Sequence, residues 1–391
     1  MFIIVLGALV ALGPFTMDLY LPAFPLVAEA LDTSAAMVQV TLTATAVGLG
    51  VGQLIVGPLS DARGRRIPLI AATALHVASS MVVAVAPTVE VVTMARFGQG
   101  CGAAAGAVVA AAMVRDLFGG HRLVRISARI ALITGLAPIV APVIGSQLLL
   151  LTDWRGVFWI LAAFGALILV AVAVLLPETL PRDRRADAGG TTRSRLQVLL
   201  ADRVYIGTVV ISAMVFAAIV SYLAASPFIF QDGFGLSEQQ FGLLFAVNAV
   251  GLLLATQISA LLMRRFRPAM LLRAALPALL ISGLAFIALG GGGNLIGAIL
   301  ASSLLVALHG FCGPCIHVLV VAKHQARAGT AVALCGFANS AIGGGLALVP
   351  ALIGGVSLIS LGVVVAAAAV IAILALATIV RPQSVPALGP E

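Results

Sequence analysis

Twelve apolar runs, each long enough to cross a bilayer as a helix of about twenty residues, occupy most of this 391-residue chain. They fall near 2–28, 37–59, 67–87, 89–113, 126–151 and 155–177, then near 203–231, 238–263, 269–290, 294–321, 328–353 and 356–380. With 62% hydrophobic and only 9% charged residues, the composition cannot cover a water-facing surface of this size. Lipid offers no partners to backbone N–H and C=O groups, so only helices or a closed barrel can cross it. A barrel reads as alternating segments of about ten residues, whereas these runs are continuous. The expected fold class is therefore an all-α membrane protein with twelve transmembrane helices. The run from Phe2 passes twenty residues without a basic start, which marks a first span and not a cleaved leader.

Basic loops stay on the cytoplasmic side of a membrane. Arg63, Arg65 and Arg66 follow span two, Arg122, Arg125 and Arg129 follow span four, Arg264, Arg265 and Arg267 follow span eight, and Lys323 and Arg327 follow span ten. The opposite loops carry Glu29, Asp32, Glu90, Asp153, Asp232 and Glu238, with Arg155 as their one basic residue. This alternation puts both termini in the cytoplasm of a cell whose inner (plasma) membrane holds the chain. The net charge of +8 sits in these short clusters and forms no basic domain, so a nucleic-acid partner is not expected. Cys101, Cys312, Cys315 and Cys335 all lie inside apolar runs and read as packing residues, not as a disulfide framework.

The longest polar connection, Glu178 to Asp202, holds Arg182, Arg184, Arg185, Arg193 and Arg195 and divides the spans six and six. The domain reading is a first six-helix bundle over 1–177, a cytoplasmic linker over 178–202, a second bundle over 203–381 and a cytoplasmic tail over 382–391. A shift of 203 residues lays Ser34 on Ser237, the run Ala46 to Leu49 on Ala249 to Leu252, and the Arg63 loop on the Arg264 loop. The two halves are thus parallel repeats, a plan that puts a substrate site near the membrane midplane between them.

A carboxylate within a span costs roughly 2.5 to 3.5 kcal/mol on insertion scales, which singles out Asp18. At 1.5 Å per residue it lies about 24 Å from the cytoplasmic end of span one, and Arg96 lies about 12 Å below the outer face in span four. In a span region about 36 Å tall these depths agree. The two charges are expected to face one cavity and to feel each other as a proton- and substrate-coupling site; a fixed ion pair between spans one and four is the other reading. Burial favours the neutral form of Asp18 and a neighbouring cation the charged one, so protonation can compete with substrate. Pro22 and Pro25 each remove a backbone donor and loosen the helix beyond Asp18, as a gate or as a static kink. Tyr20, Gln39, Thr43, Gln99 and Asn248 are candidate cavity residues, although polar side chains in bundles also serve as interhelical hydrogen bonds. His309 and His317, eight apart on span ten, have no carboxylate nearby in sequence, and packing is their expected role. The Cys312, Gly313, Pro314, Cys315 run has the letters of a redox motif but lipid-depth surroundings. No hydrolase, metalloprotease or nucleotide-binding motif is present, so neither an enzyme nor a cofactor is expected.

The segment after span two reads Gly57, Pro58, Leu59, Ser60, Asp61, Ala62, Arg63, Gly64, Arg65, Arg66. It resembles the GxLaDrxGrk signature loop of the major facilitator superfamily, departing at Ala62 where an arginine is usual and where Arg63 stands next. Arg96, Gln99 and Gly100 resemble that family's RxxqG segment, and Gly135, Pro138, Pro142 and Gly145 its span-five antiporter motif, with Ala141 and Ser146 where glycines are usual. Asp18 to Pro25, together with Arg115, Asp116 and Leu117, resembles the Bcr/CflA subfamily of drug:proton antiporters. The resemblance implies the major facilitator fold of two pseudo-symmetric six-helix bundles and proton-driven multidrug efflux by alternating access. The implied substrates are chloramphenicol-like, bicyclomycin-like or related small amphipathic or neutral drugs. It also implies a conformational gating cluster of Asp61, Arg65 and Asp116, with Gly57, Arg63, Gly64 and Arg66 in the same segment. The expected partners are a small-molecule drug, protons and the lipid bilayer, with the chain acting as a monomer. A proton-coupled transporter of a small metabolite, importer or exporter, would share this fold and first motif.

Overall fold

The computed structural model describes residues 2–181, 192–290, 293–324, 328–353 and 355–380. Arg182, Arg184 and Arg185 of the linker, Arg327 and the tail 382–391 lie outside the described residues. In the first half the helices are α1 (Phe2–Asp18), α2 (Phe24–Ala30), α3 (Ala35–Arg63), α4 (Arg66–Ala84), α5 (Val89–Leu117), α6 (Gly120–Leu148) and α7 (Trp154–Leu175). A linker helix α8 (Thr192–Ala201) precedes α9 (Arg203–Pro227), α10 (Glu238–Leu262), α11 (Pro268–Leu289), α12 (Leu295–Val321), α13 (Ala328–Ala338), the short α14 (Gly344–Leu346) and α15 (Val349–Leu352), and α16 (Leu358–Ala375). Eleven stretches among the described residues are long and apolar enough to cross a membrane. The helix α6, 29 residues long with its arginines confined to its first ten positions, completes a twelve-helix, multi-pass membrane fold.

The surface is that of a protein dissolved in lipid. Ile4, Leu151 and Val174 are 74%, 84% and 73% exposed, while Arg96 is completely buried and Asp18 nearly so, the reverse of a water-soluble fold. By its internal contacts the chain divides into two compact units, Met1–Gly189 with Ser237–Leu243, and Gly190–Leu236 with Leu244–Glu391. The first is centred on Leu6, Leu9 and Leu12 of α1, Val109 and Met113 of α5, and Val172 of α7. In the second, Ile211 of α9, Leu272, Leu276 and Phe286 of α11, Leu305 of α12 and Val365 of α16 are buried.

Without a hydrophobic drive between helices in lipid, close backbone approach holds them together. The tightest packing joins α3 to α5. Gly48 lies against the Phe97 carbonyl, Gly100 against the Thr45 carbonyl, and a Cβ on Gly52 would be 2.6 Å from the Cys101 carbonyl oxygen.

Four expectations about element boundaries need correction. Span one is not a continuous helix over 2–28: α1 stops at Asp18, and a single 3₁₀ turn, Leu21–Ala23, intervenes before α2. Pro22 and Pro25 cannot donate to the carbonyls of Asp18 and Leu21, so the ladder fails there. The segment Gly57 to Arg66 is not a loop either, since α3 runs through Pro58 to Arg63 and only Gly64 and Arg65 turn; polarity marks where the apolar surface ends, not where the helix does. Arg115, Asp116 and Leu117 are likewise the last turn of α5. Finally, span 328–353 is broken into α13, a π-helical turn Asn339–Gly343, α14 and α15, a consequence of three successive glycines, 343 to 345, and of Pro350.

Gly100→Val is expected to destabilise the fold by about 3 kcal/mol or more through overpacking against the Thr45 backbone, whereas Gly251→Ala, whose added Cβ meets nothing within 4 Å, changes stability by less than about 0.5 kcal/mol. Thermal unfolding followed by detergent size-exclusion fluorescence separates the two outcomes.

Candidate functional site: a buried charge cluster in the first unit

Asp18 is the last residue of α1 and stands where the helical hydrogen bonds end. The chain that follows turns inside protein: Leu19, Tyr20, Leu21 and Phe24 are almost wholly buried, which is how irregular backbone survives at membrane depth. The α6 helix packs against this turn, and Gly145 lies so close to the Leu19 carbonyl that any side chain there would strike it. Among the antiporter-motif residues, Gly145 is thus the one that touches the break beside Asp18, while Pro138 and Pro142 sit inside α6 without ending it. Gly135 lies one turn ahead of Pro138 on the same helix.

Arg96, on α5, has no solvent exposure. Its Nη1 donates to the Thr16 carbonyl at 2.8 Å and to Gln99 Oε1 at 2.6 Å. The guanidinium carbon lies 4.6 Å from the ring centre of Tyr20 and 5.6 Å from that of Phe158, so aromatic faces replace part of its hydration. Its Nε and Nη2 are buried and have no hydrogen-bond partner. No ion pair joins it to Asp18 among the described residues, although the carbonyl it binds, that of Thr16, lies two residues before Asp18 on α1.

The same geometry brings in His76, which sequence reasoning passed over. Thr16 Oγ1 gives its proton to the Leu12 carbonyl at 2.6 Å, so it accepts from His76 Nε2 at 2.9 Å. That assignment leaves His76 Nδ1 as a bare acceptor, and it is buried without a partner. Ser80 donates to the His76 carbonyl at 2.7 Å and accepts from Gln99 Nε2 at 2.7 Å. Thr16, His76, Ser80, Gln99 and Arg96 therefore close a ring of polar contacts across α1, α4 and α5. Only a spacing of twenty residues between His76 and Arg96, on adjacent antiparallel spans, hinted at the pairing in sequence.

The other candidate cavity residues separate. Tyr20 donates to the Thr41 hydroxyl, whose own proton goes to the Val38 carbonyl at 2.6 Å. Gln39 and Thr43 are buried on α3, and the Thr43 hydroxyl has no partner. Asn248 belongs to the other unit: its amide donates to the Tyr222 hydroxyl at 2.9 Å and accepts from Ser303 at 2.6 Å, tying α10 to α9 and α12.

A second cluster lies at the turn between α3 and α4. Gly64, with φ +94°, takes a backbone conformation that suits glycine, and the chain then buries Arg65. The Arg65 guanidinium donates to Asp116 Oδ2 at 2.9 Å, to Ser60 Oγ at 3.0 Å and to Asp61. Burial opposes its charge, but the hydrogen bonds and charges of Asp116 and Asp61 outweigh that and hold its pKa above the ordinary arginine value. Thr179 donates to Asp116 at 3.2 Å. Glu178 accepts from the main-chain N–H of Arg65 at 2.8 Å and of Arg66 at 3.3 Å, capping the exposed donors of α4. Arg66 donates to the Ala173 carbonyl. Arg63 is exposed and takes no part in the recorded contacts of the cluster, and Gly57 accepts the Ser60 hydroxyl at 2.8 Å. Sequence reasoning placed Glu178 only at the start of a linker.

Among the described residues no three His, Cys, Asp or Glu side chains gather into a metal site. A buried carboxylate and guanidinium inside a lipid-facing helical bundle are the kind of costly intramembrane charges that mark a functional site. The chain belongs to the Major Facilitator Superfamily, which matches residues 6–348. It is 41% identical over 248 residues to an uncharacterized MFS-type transporter, YdgK, of Bacillus subtilis, covering 63% of this chain and 62% of that one. It is 32% identical over 250 residues to a bicyclomycin resistance protein homolog of Haemophilus influenzae, covering 64% and 63% of the two chains, and 29% identical over 248 residues to the multidrug resistance protein MdtL of Escherichia fergusonii, covering 63% of each. The chain thus matches a little under two thirds of the length of these relatives. They support its resemblance to the drug-antiporter branch. In fold it is similar to a D-xylose-proton symporter (TM-score 0.74, 17% identity, 99% of each chain covered) and to the nucleoside transporter NupG (TM-score 0.77, 13% identity, 97% and 100% covered).

Glu178→Ala is expected to lower stability by about 1 kcal/mol by uncapping α4, with Glu178→Gln losing less because its amide oxygen still accepts. The unfolding midpoint of the purified protein measures both.

Proposed function

We propose that this chain is a drug:proton antiporter of the inner membrane, both termini cytoplasmic, acting as a monomer on small neutral or amphipathic drugs such as chloramphenicol- or bicyclomycin-like compounds. The observation that carries this reading is Asp18, buried at a helix break, within the field of a guanidinium that still has two unfilled donor groups. Protonated, Asp18 is neutral and makes no claim on Arg96. Deprotonated, it becomes an anion for which Arg96 Nε and Nη2 are available. A drug bearing acceptors competes for the same donors, so proton and drug exclude each other at one site and exchange across the membrane. The polar ring through Thr16, His76, Ser80 and Gln99 holds Arg96 in register while this happens.

Transport proceeds by alternating access, and the cluster of Arg65, Asp61 and Asp116 acts as a latch that breaks when the cytoplasmic side opens. Gly135, Pro138, Pro142 and Gly145 supply the small, bent surface on which α6 moves against the Asp18 turn. With Asp18 as the one coupling carboxylate, one proton moves per cycle, so a neutral drug makes transport electrogenic and a monovalent cation makes it electroneutral. The names of the Haemophilus and Escherichia relatives support drugs as the substrate class.

In an efflux-deficient host at matched expression, wild type is expected to lower chloramphenicol accumulation and raise resistance several-fold. Asp18→Asn and an uncoupler each return both readings to those of the empty vector. No change across a broad drug panel, with accumulation of a labelled metabolite instead, would overturn drug export in favour of metabolite transport.

A further inference from the structure

The second unit holds a cavity of about 290 Å³, walled by α9, α12, α13 and the π-helical turn that follows α13. Its size is at the small end for ligand sites, and its walls are largely apolar: Val215, Phe216, Ile316, Val320 and Val332 contribute. No Asp, Glu, Lys or Arg lines it, so a charged guest would find no counter-ion. Two polar atoms at this cavity are nevertheless buried without any partner, His309 Nδ1 on α12 and Asn339 Oδ1 on the π-turn. Leaving such atoms unsatisfied is costly, and the pair marks a place where a guest supplies what the protein does not.

The chemistry of the guest follows from those atoms. The main chain of Val215 is the hydrogen-bond partner of the His309 ring. With α9 helical there, Val215 offers its carbonyl, so the ring donates through Nε2 and keeps a lone pair on Nδ1. Asn339 Oδ1 is an acceptor as well. The cavity therefore presents two acceptors and asks for donors. The π-helical turn begins at Asn339 itself, and single π-turns inside α-helices recur at functional sites. Gly313 opens the space from the opposite wall, since a Cβ added to it meets nothing within 4 Å.

We infer that the second unit carries its own recognition pocket, in which His309 Nδ1 and Asn339 Oδ1 accept hydrogen bonds from a neutral, mainly apolar molecule bearing hydroxyl or amide N–H donors. That this molecule is the transported drug rests on the export reading above; that the pocket binds it does not. Chloramphenicol is a suitable probe, being neutral with two hydroxyls and one amide N–H, and its O,O-diacetyl derivative keeps the body while losing both hydroxyl donors.

Equilibrium binding of labelled chloramphenicol to the purified full chain tests the pocket. Saturable binding to wild type is expected, about tenfold weaker in His309→Leu, in keeping with one lost hydrogen bond, and also weakened in Gly313→Val, whose Cβ enters open space and whose methyls narrow the cavity. His309→Asn, which keeps an acceptor near the Nδ1 position, recovers part of the loss. The diacetyl derivative is expected to bind wild type about tenfold more weakly and to be less sensitive to His309→Leu. No saturable binding to wild type, or binding that His309→Leu and Gly313→Val leave unchanged while both stay folded, overturns the pocket. Normal binding without resistance or efflux overturns the export reading and leaves the pocket standing.

Discussion

A guanidinium removed from both water and lipid must be solvated by the protein around it, and the first unit is arranged to do this for Arg96. The Thr16 carbonyl and Gln99 take Nη1, and the faces of Tyr20 and Phe158 flank the cation. Each of these groups is in turn fixed by another: Gln99 by Ser80, Ser80 by the His76 carbonyl, His76 by Thr16, and Tyr20 by Thr41. Solvation is incomplete at Nε and Nη2. In the exchange proposed above, those two donors are the ones for which a deprotonated Asp18 and a drug would compete.

The same constraint explains why the irregular backbone lies where it does. Lipid tolerates no unpaired carbonyl, so the break at Asp18 requires protein on every side, and α6 supplies it by bringing Gly145 onto Leu19. The close contacts of Gly48, Gly52 and Gly100 between α3 and α5 join that side of the bundle by the same means, backbone against backbone.

Much of this was legible in the sequence, and for a definite reason. Apolar length and charge cost are one-dimensional quantities, so the membrane spans, Asp18 and Arg96 stood out without any knowledge of contacts. The signature segment announced Arg65, Asp61 and Asp116 by resemblance, and they do meet. What could not be read was anything requiring three dimensions. His76 sits in an ordinary apolar span and gains meaning only from Thr16, sixty residues away. Glu178 reads as linker until the N–H groups of Arg65 and Arg66 are seen pointing at it. His309 and Asn339 are thirty residues apart on different elements, and neither has a carboxylate or motif to flag it. Asn248 looked like a lining residue and proves to be engaged by Tyr222 and Ser303. Helix ends were misjudged at Arg63 and Leu117 because hydropathy reports the boundary of the lipid-facing surface, while the hydrogen-bond ladder continues past it.

The repeat relating the halves sharpens the division of labour between them. Carrying the first half onto the second by 203 residues places Asp18 on Ser221, Arg96 on Ile299 and His76 on Leu279. Asp18, Arg96 and His76 thus have neutral counterparts, although each half has a buried tyrosine tied to a polar side chain on the next long helix, Tyr20, just past α1, to Thr41 and Tyr222 of α9 to Asn248. A titrating group needs a counter-ion nearby, and a pocket for neutral molecules is weakened by one, since the charge holds water that the guest must displace. Charge in the first unit and an uncharged cavity in the second therefore put the unfilled donors of Arg96 and the unpartnered acceptors of His309 and Asn339 on different elements of one chain.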